Sequence, residues 1–290
     1  MPRPENANNP SQLVPPGGRW SGPVGRRFRH HNALVPVAVV AVGGYALLAA
    51  FLVGSGLLFT HVLAHTAVGR WDDHVNAWFA AHRSPFWTHA SAVGTFVANT
   101  LGVVVVAAVV SGVLLLRKWG RLAALILIGL AIELAVFLST TYVVARPRPQ
   151  VPHLGSTPST FSWPSGHAAA TFVLYGGIAV LVALATTNWV LRVAAWVVAA
   201  AVTGAVAVSR VYRGEHHPTD VFAGVVLGIG ALSAAVFALR AADAASAAKE
   251  TATEPAPDVP EHRDGAEPGQ RRPEPDPAPL GAGDPIGAVR

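Results

Sequence analysis

The chain contains no cysteine, so it has no disulfide framework, no thiolate metal site and no thiol nucleophile. Charge is scarce as well. Only 13% of its 290 residues are charged while 52% are hydrophobic, a balance too apolar for an ordinary soluble domain. Patterns for reading nucleic acid are also missing: there is no helix-turn-helix, RNP-like or zinc-finger signature, so the net charge of +5 points away from DNA or RNA as partner and towards membrane topology. Acidic residues are sparse where the chain is apolar, since ten of the sixteen lie after Arg240.

What is present is a series of long apolar runs. A spanning helix needs about 20 predominantly apolar residues. Six segments meet or approach that length, at roughly 35–59, 90–116, 122–144, 167–185, 190–208 and 219–239. The first is too long for the apolar centre of a cleaved signal peptide and reads as a retained span. Arg26, Arg27 and Arg29 precede the first run; Arg117, Lys118 and Arg121 separate the second and third; Arg192 and Arg240 mark two further ends. With six spans these groups share one side, which the positive-inside rule makes cytoplasmic. Both termini then face the cytoplasm, and the loops at 60–89, 145–166 and 209–218 face outward from a multi-pass protein of a bacterial-type plasma membrane. The expected fold is all-α, an integral membrane six-helix bundle over 35–240, with a structureless basic arm at 1–34 and a Pro- and Ala-rich acidic tail at 241–290.

Smaller signals fit this frame. Val75, Trp78, Phe79 and His82 recur at helical spacing and predict a short amphipathic helix at the interface. Trp71, Trp87, Trp119, Trp163 and Trp189 fall near span ends, where an aromatic belt anchors a membrane protein. Gly224 and Gly228 form a GxxxG pair that lets helices approach closely. Glu133 is the one carboxylate well inside a span, where it calls for a hydrogen-bonded neutral state or a role beneath a polar site.

Three outward-facing boundaries carry the chemistry. In Ser209-Arg210-Val211-Tyr212-Arg213-Gly214-Glu215-His216-His217-Pro218-Thr219-Asp220, Pro218 suits the first turn of a helix. His216 and Asp220, four apart, can then share a face. A carboxylate at one imidazole nitrogen would fix the tautomer and free the other to attack. His217 is the rival, and an interfacial histidine pair beside a helix start is the plainer alternative. Pro164-Ser165-Gly166-His167 runs into a span, so Ser165 and Gly166 lie where free backbone N–H groups make an oxyanion cradle, and His167 is placed to protonate a leaving group. Arg146 and Arg148, each followed by proline, lie in an extended segment. Guanidinium groups bind phosphate oxygens bidentately, and Arg210 could do so from the opposite side.

Taken together these residues resemble the type 2 phosphatidic acid phosphatase superfamily, whose pattern is Lys-x6-Arg-Pro, Pro-Ser-Gly-His and Ser-Arg-x5-His-x3-Asp. The second and third motifs match in full, and the resemblance covers about residues 35–240. It implies a membrane phosphatase of lipid phosphates with no metal or other cofactor. His216 would form a phosphohistidine, Asp220 would orient it, and His167 would be the general acid. Arg148, Arg210, Ser165 and Gly166 would hold the phosphoryl oxygens. One position departs: Thr141 stands where the family has lysine. Thr141 would then be a phosphate donor without charge, with Arg146 or Arg213 reaching in to compensate. The implied substrate is a lipid phosphomonoester or diphosphate of the undecaprenyl diphosphate, phosphatidate or phosphatidylglycerol phosphate type. The alternative is a catalytically inactive protein of the same fold that binds or transports lipid phosphates.

Overall fold

A computed structural model describes residues 21–28, 30–97, 99–155 and 159–253. Among them there is no strand. The helices are α1 (Ser21–Phe28), α2 (Leu34–His61), α3 (Ala67–Ala81), α4 (Pro85–Val97), α5 (Thr100–Leu116), α6 (Gly120–Val144), α7 (Gly166–Ala185), α8 (Trp189–Tyr212) and α9 (Pro218–Thr253). Five helical stretches are long and apolar enough to cross a membrane, in α2, α6, α7, α8 and α9, and the bent pair α4–α5 makes a sixth if counted as one span. The six apolar runs thus become the expected all-helical membrane bundle. The second run is broken rather than continuous because Asn99 starts a new helix: its side chain accepts the N–H of Gly102 at 2.6 Å.

The boundary expected at residue 241 falls inside a helix. Ala-rich sequence carries α9 through Thr253, as the high helix propensity of alanine favours. Arg121, at the start of α6, forms an ion pair with Asp243 on this extension. α1 lies against the same extension, with Gly25 so close to the Ala244 carbonyl that a side chain there would collide. The arms are therefore helical over Ser21–Phe28 and Ala241–Thr253, and the remaining parts, 1–20 and 254–290, lie outside the described residues.

α7 is the buried centre, with Ala168, Ala169, Val173 and Leu174 fully enclosed. α9 crosses its first turns at close range. A Cβ on Gly224 would meet the Ser165 carbonyl, and one on Gly228 would meet Ala169 and Phe172. The GxxxG pair therefore does more than compact the bundle, because it sets the start of α9 against the start of α7. Trp163 is not a belt anchor. It is buried, donates to the Leu52 carbonyl at 3.0 Å and stacks on Phe59, whereas Trp71, Trp87 and Trp189 are exposed as anchors should be. Glu133 is buried within α6.

Candidate active site

Three loops meet at one end of the bundle and are tied together by backbone hydrogen bonds. α6 ends at Ala145 in the left-handed region, and the Arg-Pro-Arg-Pro segment runs on in neither helix nor strand. The Ser162 N–H donates to the Arg146 carbonyl at 2.9 Å, and the Leu154 N–H to the Arg213 carbonyl at 3.0 Å. The Ser165 N–H donates to the Asp220 carbonyl at 2.9 Å, joining the second motif to the third. Between α8 and α9 the chain turns at Gly214, whose φ of 78° and contact with Val151 leave no room for a side chain.

His216 is buried in this turn. Its Nδ1 lies 2.8 Å from the Ser162 carbonyl, so Nδ1 carries the proton and Nε2 keeps a lone pair. Its carbonyl accepts from Asn76 at 3.0 Å. Burial holds the His216 imidazole well below the ordinary histidine value; Asp220 opposes this, and Arg210, Arg148 and His167 push the same way as burial. The two histidines differ in what holds them: the Ser162 carbonyl for His216, the Asp220 carboxylate for His217. His217 has Nδ1 3.0 Å from Asp220 and Nε2 4.0 Å from the exposed Asp73.

Asp220 is placed differently from the sequence expectation. Its carboxylate stands 3.9 Å from His216 Nδ1, too far for a hydrogen bond. It accepts from the Ser162 hydroxyl, from the His217 N–H at 2.8 Å and from Arg146. The Ser162 carbonyl holds the His216 ring, and Asp220 acts on that ring through charge.

The arginines divide by their partners. Arg146 is buried between Asp220 and Asp72, 2.9 Å from the latter, and donates to Thr219 at 2.8 Å. Arg213 donates to the Leu154 carbonyl and to Ser91 at 3.4 Å. Both guanidinium groups are engaged by carboxylates, hydroxyls or a carbonyl of the protein itself, so neither stands free to take the lysine's part as the sequence suggested. Arg148 is largely a clamp, donating to the carbonyls of Thr160, Phe161 and Glu215. Burial lowers its pKa, and Glu215 and Asp220 oppose that shift. Arg210 is buried, and its Nε has no hydrogen-bond partner.

Thr141 also departs from its expected part. It is fully buried, and its hydroxyl donates to the Phe161 carbonyl at 3.4 Å rather than standing open to a phosphate. The Ser165 N–H is taken by Asp220, which leaves the Ser165 hydroxyl, buried and unpartnered, as that residue's free donor. Gly166 has a packing reason to be glycine, since a Cβ there would lie 3.0 Å from the Phe137 ring. It starts α7, whose first N–H groups have no intrahelical partner.

α3 forms where its spacing predicted, but it docks through a polar stripe. Gly69, Asp72 and Asn76 are buried while Trp71 and Trp78 are exposed; Val75 and Phe79 pack beside Val211 and Val221. Asp72 accepts from the Thr219 N–H at 3.1 Å, from its hydroxyl and from Arg146, fixing the first turn of α9. Asp72, Asn76, Ser162 and Glu215 were not singled out from the sequence. A signal existed for two of them: positions 35–240 hold five acidic residues, and in so apolar a segment each calls for a partner. Among the described residues no three His, Asp or Glu side chains converge as a metal-binding group would.

The family model described as PAP2 superfamily matches residues 119–243, the region that carries all three motifs, which bears out the resemblance drawn from them. The crystal structure of the first transmembrane PAP2 type phosphatidylglycerolphosphate phosphatase from Bacillus subtilis has the same fold. It aligns with a TM-score of 0.51 at 22% identity, covering 69% of this chain and 93% of that one. No curated protein matches the chain. With this fold and its long apolar helices, the chain is a multi-pass membrane protein.

Proposed function

From the PAP2 superfamily match over residues 119–243, we propose that this chain is a membrane phosphatase of lipid phosphates that works through a phosphohistidine. The observation that carries the reading is the His216 ring, with Nδ1–H held by the Ser162 carbonyl, Nε2 unprotonated, and His167, Arg148 and Arg210 around it. An imidazole so fixed is an activated nucleophile.

Nε2 of His216 attacks phosphorus as the bond to the leaving oxygen breaks, and His167 gives that oxygen its proton. Arg210, the remaining donor of Arg148, the Ser165 hydroxyl and the first N–H groups of α7 hold the phosphoryl oxygens. Water then attacks the phosphohistidine, passing a proton to His167, and inorganic phosphate leaves with His216 restored. Asp220 favours the positively charged phosphorylated ring. At 3.9 Å and an effective dielectric near 20, that charge is still worth about 4 kcal/mol before desolvation is subtracted. No metal ion takes part.

The substrate is a phosphomonoester or diphosphate whose lipid tail stays in the bilayer, of the undecaprenyl diphosphate, phosphatidate or phosphatidylglycerol phosphate type. The last is the substrate named for the Bacillus subtilis protein of this fold. The distribution of Arg and Lys between loops supports a site on the extracytoplasmic side of the plasma membrane, with both termini cytoplasmic. Thr141 in the lysine position favours the second reading, an inactive lipid-phosphate binder or transporter. Phosphate release from a panel of lipid mono- and diphosphates, in detergent with EDTA, separates the two. Turnover that disappears in His216→Ala is the expected result, and its absence on every substrate supports the binder.

A further inference from the structure

Glu215 sits inside the phosphate cradle. It is 2% exposed, and its Oε2 lies 3.6 Å from Nη1 of Arg148 and 3.6 Å from Nη2 of Arg210. That oxygen accepts no hydrogen bond, and the Nε of Arg210 donates none. A carboxylate oxygen midway between two guanidinium groups, bonded fully to neither, is where a phosphoryl oxygen would stand to be shared by both. The other buried carboxylates of the site are placed differently, because Asp72 and Asp220 are each saturated by several hydrogen bonds. The main chain of Glu215 is also fixed, its N–H donating to the Arg210 carbonyl at 3.0 Å and its own carbonyl accepting from Arg148. The side-chain Oε2, by contrast, is held by no hydrogen bond.

We infer that Glu215 is a built-in occupant of the phosphate site: its carboxylate neutralises Arg148 and Arg210 in the empty enzyme, is displaced by the phosphoryl group, and returns as inorganic phosphate departs. The inference rests on the phosphatase reading and extends it to ligand selection. A phosphate dianion gains the two arginines only by expelling an anion already seated between them, so binding is weaker than two arginines alone would give. The same competition speeds release of the product. Desolvated like charges repel strongly at this range, which favours withdrawal of the carboxylate over sharing the cradle.

Isothermal titration of the full-length protein in detergent, with inorganic phosphate and separately with orthovanadate, tests this against Glu215→Gln. The amide keeps the shape and removes the charge. Both anions are expected to bind at least about tenfold more tightly to Glu215→Gln, a difference that electrostatic repulsion of this size readily supplies. Phosphate should then inhibit turnover at correspondingly lower concentration. If Glu215→Gln does not fold, Glu215→Met, similar in length and uncharged, gives the same reading. Equal or weaker binding by a folded uncharged variant, beside a wild type that binds, would make Glu215 a brace for the arginines and overturn this inference alone. Failure of both proteins to bind either anion would overturn the phosphatase reading with it.

Discussion

The Nδ1 of His216 lies 2.8 Å from the carbonyl oxygen of Ser162, 1.1 Å nearer than its 3.9 Å to the carboxylate of Asp220. A main-chain carbonyl therefore sets the tautomer of the candidate nucleophile, and the carboxylate three residues after His217 pairs with that second histidine instead. Because the carbonyl cannot be removed by mutation, the ring should stay oriented when Asp220 is changed. Asp220→Asn is expected to lower kcat by about 10²–10³ through loss of charge at the phosphorylated ring, with little change in KM. A KM effect alone, in steady-state kinetics, would contradict that assignment.

The acid limb of the pH profile reports His216. Burial, then Arg210, Arg148 and His167, holds it well below 6.5 while Asp220 opposes. In the proposed mechanism the neutral ring is the nucleophile, so activity is expected above the lowered value and is lost as pH falls through it. kcat/KM against pH should show its acid limb below 6.5, and a limb at or above 6.5 would not fit. Stability moves the same way. Below 6.5 the unfolded chain takes up a proton at this histidine that the folded chain refuses, so acid destabilises the fold.

Arg146 is predicted to be structural. It bridges Asp72 on α3 and Asp220 on α9, and its loss would leave two buried carboxylates facing each other. Breaking a buried pair from one side costs about 3–5 kcal/mol. Arg146→Ala should lower the midpoint of thermal unfolding in detergent, and Arg146→Lys should restore part of it. An Arg146→Ala protein of normal stability with raised KM would instead place this arginine on the phosphate.

Thr141 offers the opposite contrast. Its hydroxyl makes one long bond, 3.4 Å, to a loop carbonyl, so Thr141→Val should reduce turnover less than about tenfold. A donor to the transition-state oxyanion would cost about 10²–10³ when removed. Phosphate release by Thr141→Val distinguishes the two.

The fold was legible because apolar length is a strong signal. The runs around α6, α7 and α8 appear at nearly the expected bounds, and Pro218 begins α9. Where α9 ends was not legible, because Ala241–Thr253 is alanine-rich yet belongs to a tail whose charge and proline content suggested coil. At the site, the motif spacing gave His167, Arg148, Arg210, His216 and Asp220, which do come together. It could not give their pairings. The i+4 spacing favoured His216 over His217 at i+3 as the partner of Asp220, whereas the turn at Gly214 and the position of Ser162 give the carboxylate to His217. Nor could spacing reveal that α3 docks through Asp72 and Asn76, since helical periodicity in a membrane protein identifies the stripe that differs and not the side it faces.

The proposed phosphatase works by covalent chemistry at His216. This chemistry is tested most directly by acid-sensitive, base-stable labelling: the enzyme is mixed with a ³²P-labelled lipid phosphate, quenched in alkali within milliseconds, and the labelled peptide sequenced. Label is expected on His216 alone, absent from His216→Ala and retained by His217→Ala. Label on His217, or turnover with no labelled histidine at all, would contradict it.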